Sequence, residues 1–196
     1  MSKAEKTRQF IIETTAPIFN QKGYAGTSLN DIAEATGLTR GGIYGNFESK
    51  DEVALAAFDY NYTQLFTTIR KKMDETVYPI DKLKVHLTML ADFAHAPLFR
   101  YGCPILNTAI EADDTHPELR LKAIGAINSW YKKIAEIIAE GIENRQIQMG
   151  TDAAEFAGAF IALIEGGIML AKVTGKQDGL KAAIKQADKM INAIAV

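Results

Sequence analysis

Apolar positions in this chain return at steps of three and four residues, the spacing that gathers them on one face of an α-helix rather than on alternate sides of a strand. The final stretch is the clearest case, with Leu180, Ile184, Ala187 and Ile191 on one line. Only five prolines interrupt the pattern, at Pro17, Pro79, Pro97, Pro104 and Pro117. The periodicity predicts an all-α fold of about nine helices, over roughly residues 4–22, 28–35, 39–46, 49–76, 81–95, 103–112, 116–145, 152–173 and 178–194. Several starts carry their own chemistry. Ser28, Ser49, Thr115 and Asp152 each stand three residues before an acidic side chain, the spacing of a capping box, and Asp81 and Asp178 are further N-cap candidates. Pro104 and Pro117 suit a first helical turn, where no N–H is needed.

Composition narrows the class. With 47 % hydrophobic and 23 % charged residues over 196 positions, the chain has a globular balance. The 22 basic residues are outnumbered by 24 acidic ones, so bulk charge does not suit it to coat nucleic acid and any basic surface is local. Residues 1–50 hold six basic and five acidic side chains, which makes the head the more basic part. A single cysteine, Cys103, excludes an internal disulfide and any two-cysteine zinc site. His86, His95 and His116 lack ligand spacing, and no nucleophile elbow, phosphate-binding loop or catalytic carboxylate pair is present. The expectation is a protein without metal, cofactor or enzymatic activity. The N-terminal MSKAEKTRQF has no apolar core, and no run reads as a membrane span, so a soluble cytoplasmic chain is expected.

The segment Leu29–Phe47, LNDIAEATGLTRGGIYGNF, has the spacing of a helix-turn-helix. Ala33 lets two helices cross closely, Gly37 supplies the left-handed turn, and Ile43 packs back on Ile32 and Leu29 with Leu38 beneath. A surface helical hairpin gives the same Ala and Gly, and the flanks decide between the two. The run from Phe10 to Phe58 contains Phe19, Gly23, Tyr24, Thr27, Ser28, Asp31, Ile32, Ala33, Gly37, Leu38, Ile43, Tyr44, Phe47, Ser49 and Lys50. It resembles the DNA-binding head of the tetracycline-repressor (TetR) family of bacterial transcriptional regulators. The resemblance implies residues 1–50 as a helix-turn-helix DNA-binding domain and 51–196 as a helical regulatory and dimerisation domain. It further implies a homodimer on a double-stranded DNA operator, released by a small-molecule effector, with no membrane partner.

Each expected DNA contact has a physical case. Thr27 and Ser28 open the second helix, where they serve as caps, as phosphate ligands, or as both. Tyr44 and Lys50 match phosphate-contacting positions of the family, although Tyr44 also suits a core. Arg40 has the planar fork that holds O6 and N7 of a guanine, and Thr39 caps the recognition helix. Asn46 reads as a phosphate contact ahead of a base contact. Gly41, Gly42 and Gly45 cost helix stability, about 1 kcal/mol each relative to Ala, which either reflects close approach of the backbone to the duplex or a helix ordered only on DNA.

In the body, Ala154, Gly158, Ala162 and Gly166 recur at steps of four. This seam of small residues reads as a dimer face with Ile184 and Ile191, or as packing within one subunit. Tyr62, Phe66, Phe93, Cys103, Asn107, Glu111, Trp130 and Phe160 are the candidate effector contacts, with Asn107 and Glu111 four apart on one helix. Cys103, before Pro104, reads as packing or as a reactive thiol. The leading reading is a ligand-responsive repressor. The alternatives are an all-α enzyme or carrier with a vestigial head, and an architectural DNA binder.

Overall fold

The computed structural model describes residues 2–91 and 100–196. Among them run nine α-helices: α1 (Lys3–Lys22), α2 (Leu29–Thr36), α3 (Arg40–Tyr44), α4 (Lys50–Asp74), α5 (Pro79–Ala91), α6 (Pro104–Ala112), α7 (Pro117–Glu143), α8 (Ala153–Thr174) and α9 (Asp178–Ile194). Local chemistry sets most boundaries. Ser2 and Ser28 open α1 and α2 with complete capping boxes, answered by Glu5 and Asp31. Thr39 accepts from the Gly42 N–H to start α3, Ser49 accepts from Glu52 at the head of α4, and Asp152 accepts from Ala154 and Glu155 to start α8. Gly37 and Gly175 end α2 and α8 in the left-handed conformation, both at φ 68°.

Other expected caps are corrected. The Thr115 hydroxyl turns back to the Glu111 carbonyl, and His116 Nδ1 takes the Leu119 N–H at 3.3 Å instead. Pro79 starts α5 two residues ahead of Asp81, which therefore lies inside the first turn. Asp178 is the first residue of α9 rather than its cap. The expected end of the helix near residue 95 falls outside the described residues.

The chain divides into two compact units, Met1–Gln64 with Cys103–Gly125, and Leu65–Gly102 with Ala126–Val196. The first contains α1 to α3, the start of α4, and α6. Its core is Ile11, Ala16, Phe19, Ile32, Ile43, Phe47, Val53, Ala54 and Ala57, contributed by all four of the first helices and the turn between α3 and α4. Packing thus groups α6 and the start of α4 with the first three helices.

In the second unit α8 packs along α9. Gly167 permits this, because a Cβ there would stand 2.8 Å from the Ala183 Cβ. At 22 residues, with an 18-residue stretch of mean hydropathy 1.7, α8 is long and apolar enough to cross a membrane by length and composition, which corrects the sequence expectation. A core helix meets the same test, and Phe156, Phe160, Ile161, Ile164 and Ile168 are buried in this unit. At its centre Trp130 Nε1 donates to His86 Nε2 at 3.1 Å, the two rings stack at 5.8 Å, and Phe160 stands edge-on to His86 at 5.6 Å.

Burial pushes the His86 imidazole down to about 4. The unfolded chain takes up this proton near pH 6.5, so between about 6.5 and 4 the unfolded state binds more protons and stability falls as pH falls. The window is worth on the order of 3 kcal/mol. His86→Gln should flatten that component, and urea titrations at about pH 7 and about pH 5 compare the two proteins. Equal losses in wild type and variant would show that His86 does not contribute.

Candidate nucleic-acid interface

The α2–α3 pair is built from short-range interactions and one buried anchor. Asp31 completes the α2 cap, and its carboxyl is held well below the usual carboxylate range, first by the Lys22 ammonium at 2.5 Å and then by Ser28. The Thr36 hydroxyl donates to the Ile32 carbonyl and accepts from the Leu38 N–H, closing the turn at Gly37. Ile43, fully buried, fixes α3 to the head. The outer face of α3 is left open, with Thr39, Arg40 and Gly41 exposed and Tyr44 at 44 % exposure. Tyr44 therefore stands outside the core.

Arg40 does not project freely, since its Nη2 donates to Asn30 Oδ1 of α2 at 2.6 Å. Asn46 Nδ2 donates back to the Gly42 carbonyl at 2.9 Å. The Asn46 carbonyl in turn accepts from Arg8 Nη1 of α1 at 2.5 Å, while Arg8 lies over the Phe47 ring and pairs with Glu52 at 2.6 Å. Arg8 is a bracing residue of this head that the sequence reading does not single out. Its partner is a main-chain oxygen 38 positions away, which leaves no spacing to read.

The glycines of α3 answer no demand from within the chain. A Cβ on Gly41 would find nothing nearer than Thr39 Oγ1 at 3.9 Å, and on Gly42 the same atom at 3.5 Å, both ordinary contact. Gly45 is tighter, at 3.3 Å from the Gly41 carbonyl.

Two expected phosphate contacts are engaged within the head. Thr27 is fully buried and its hydroxyl donates to the Gly23 carbonyl at 2.6 Å. Lys50 is turned inward, where its Nζ donates to the carbonyls of Tyr24 at 2.8 Å and Thr27 at 3.0 Å and sits 4.0 Å from the centre of the Tyr24 ring. Both residues are occupied in satisfying the turn between α1 and α2. The Tyr24 phenol donates to Asp51, which with burial pushes it up to about 12. Ser28 stays exposed at the start of α2.

Comparison with known proteins agrees with this head and extends beyond it. Residues 11–57 match bacterial regulatory proteins of the tetR family, and residues 79–187 match the tetracyclin repressor-like C-terminal domain. The chain belongs to the tetR family of transcriptional regulators. A TetR-family transcriptional regulator from Cytophaga hutchinsonii is 46 % identical, with a TM-score of 0.96 over 100 % of this chain and 98 % of that one. An HTH-type transcriptional regulator encoded in the lacX 3′ region of Lactococcus lactis is 31 % identical over 171 residues, 86 % of this chain and 84 % of the relative. The HTH-type transcriptional repressor DhaR of Mycobacterium sp. strain GP1 is 25 % identical over 174 residues, 88 % of this chain and 86 % of the relative.

In this tetR-family chain the expected effector contacts are distributed over both units. Phe66 stands edge-on to Trp130 at 5.6 Å, beside His86 and Phe160 in the second unit. Tyr62 stacks on Phe58 in the first unit, Cys103 is buried there, and Phe93 falls outside the described residues. Asn107 and Glu111 line a cavity of the first unit with Phe19, Phe58 and Leu119, and both also bond to the head. Asn107 Nδ2 donates to the Asn20 carbonyl at 3.0 Å and to Asn20 Oδ1 at 2.7 Å. Glu111 accepts the N–H groups of Tyr24 and Ala25, each at 2.8 Å.

The small-residue seam on α8 also divides. Ala154 and Ala162 are exposed and Gly166 half-buried, and Ile184 on α9 is half-buried. A Cβ on Gly158 would stand 3.1 Å from Tyr131 Oη, so this position faces α7 of its own unit. Ile191 is fully buried, which corrects its place at a dimer face.

The Arg40–Asn30 pair predicts a graded response. Arg40→Ala should cost about 1–3 kcal/mol on a specific DNA site and relax one base pair per half-site. Asn30→Ala should cost less, and nothing further once Arg40 is gone, because it acts through the guanidinium. Titrating the two single variants and the double variant against the same duplex checks this, and additive losses would separate the residues.

Proposed function

We propose that this regulator is a repressor that binds a pseudo-palindromic operator as a homodimer, one α3 entering the major groove of each half-site, and that a small effector releases it. The observation that carries the reading is the outer face of α3. It joins a buttressed Arg40 and an exposed Tyr44 to two glycines, Gly41 and Gly42, that no internal packing requires. Omitting side chains there costs helix stability and leaves room for the main chain to approach phosphates. Ser28, Thr39, Arg40, Gly41, Gly42, Tyr44 and Asn46 form the proposed DNA face. The similarity to DhaR, itself called a repressor, favours repression over activation.

The effector, acting in the cytoplasm, binds the second unit around Phe66, Trp130, Phe160 and His86. It must favour the state that does not bind DNA, since equal affinity for both states shifts nothing. The unbroken α4, from Lys50 through Tyr62 and Phe66 to Asp74, is the lever. Dimerisation uses the open stripe of α8, where Ala162 and Gly166 lie beside the exposed Met169 and Val173.

Sequencing the DNA fragments retained by the purified protein identifies the operator, and failure to enrich any sequence would overturn the reading. Gly41→Ala then separates stability from function. The free protein should gain up to about 1 kcal/mol in thermal unfolding, because Ala is the better helix former and has room. Operator affinity should fall in the same variant. At the dimer face, Ala162→Arg should leave monomers in sedimentation with weakened operator binding, and an unchanged dimer mass would place the interface elsewhere.

A further inference from the structure

The turn from Gly23 to Ser28 is held by three elements of its own unit. From α1 the Phe19 carbonyl accepts the Gly23 N–H at 2.9 Å, and from α4 Lys50 takes the carbonyls of Tyr24 and Thr27. The two successive N–H groups of Tyr24 and Ala25 point the other way, and the Glu111 carboxylate of α6 lies across both, one oxygen to each. Two consecutive main-chain N–H groups form a concave anion site of the kind that binds phosphates and carboxylates. Here the occupant is supplied from 86 positions along the chain.

Gly23 makes the site possible. Its φ of 73° is left-handed, and a Cβ would fall 2.3 Å from Glu111 Oε2, so any other residue both strains the turn and evicts the carboxylate. One helical turn earlier on α6, Asn107 holds the Asn20 carbonyl in the last turn of α1. The pair at i and i+4 thus grips the end of one helix and the approach to the next. Its target is the five-residue path, Gly23 to Thr27, that delivers the chain to Ser28, the cap of α2.

We propose that Glu111 is a positioning residue for operator recognition: by occupying the N–H pair of Tyr24 and Ala25 it fixes the direction in which α2 leaves α1, and with it the placement of α3 in the groove. This rests on the DNA-binding reading above. Glu111 touches no DNA. Its loss should therefore reduce discrimination between sites, which depends on the register of α3, far more than it reduces attachment to phosphates in general.

Glu111→Gln keeps the size of the side chain, but its amide has one oxygen for two N–H groups. The test measures amide hydrogen exchange at Tyr24 and Ala25 in the free protein, together with affinity for the selected operator and for a scrambled duplex. The expected result is exchange at least about tenfold faster at one or both amides, operator affinity down about tenfold, and scrambled-duplex affinity changed less than about twofold. A second arm guards against simple misfolding. Gly23→Ala should harm operator binding less on a Glu111→Ala background than alone, because the clash is then removed. Unchanged exchange in Glu111→Gln, equal losses on both duplexes, or additive effects of Gly23→Ala and Glu111→Ala would each overturn the proposal. A wild-type chain that enriches no DNA overturns the underlying reading instead, and the exchange measurement, which needs no DNA, tells the two failures apart.

Discussion

A helix of five residues with two glycines in it has no means of holding its own shape. Nucleating a helical turn is unfavourable, and each glycine adds about 1 kcal/mol of cost relative to Ala. The recognition helix α3 is therefore imposed by its surroundings. Ile43 is fully enclosed by the head, Thr39 caps the first turn, Gly37 sets the entry angle, and Arg8 reaches from α1 to the carbonyl just past the last turn. The exposed face of α3 is held from behind, so the stability of the head and the geometry of that face rest on the same side chains.

Those side chains follow one rule. Arg8, Lys50, Asp31 and Glu111 all direct charge at main-chain groups, two at carbonyls and two at N–H groups. Charge-assisted bonds to backbone are stronger than neutral ones, and they satisfy groups that a turn leaves without helical partners. The exposed ion pairs that accompany them, Arg8–Glu52 and Lys22–Asp31, add little alone. Their effect is to orient the charges that do the bracing. The turn between α1 and α2 is thereby fixed on opposite sides by α4 and α6, and a displacement of either helix reaches α2 without passing through the hydrophobic core.

What was legible in the sequence was local. The nine helices, the Ser28, Thr39 and Asp152 caps and the left-handed Gly37 depend on residues within four positions of one another, and periodicity or spacing exposes them. The exposed face of α3 was legible for the same reason. Thr27, Lys50, Asn107 and Glu111 each bond to main chain, which every residue carries and no sequence pattern distinguishes, so these bonds leave no trace in the sequence. His86 was passed over because a histidine on an apolar helix face gives no sign of the tryptophan 44 positions away that donates to it. Ile191 was misplaced because an apolar line on a helix says that a face is covered but not by which chain.

That last ambiguity is sharpest on α8, whose composition also fits a membrane span. One face of it is spent within its own unit, where Phe160 and Ile164 are buried and Gly167 brings α9 close. The other face carries Ala162, Gly166, Met169 and Val173, small near the middle and larger toward the C-terminal end. The exposed Glu155 and Lys172 stand near the two ends of the same helix, and the half-buried Glu165 lies midway. A lipid-facing surface selects against charge and is apolar all round, whereas a contact between folded proteins places small residues where backbones cross and charges at the rim. A helix with one side already buried in its own unit and a carboxylate, Glu165, half-buried midway along it is not apolar all round, so the length and hydropathy of α8 do not by themselves make it a bilayer span.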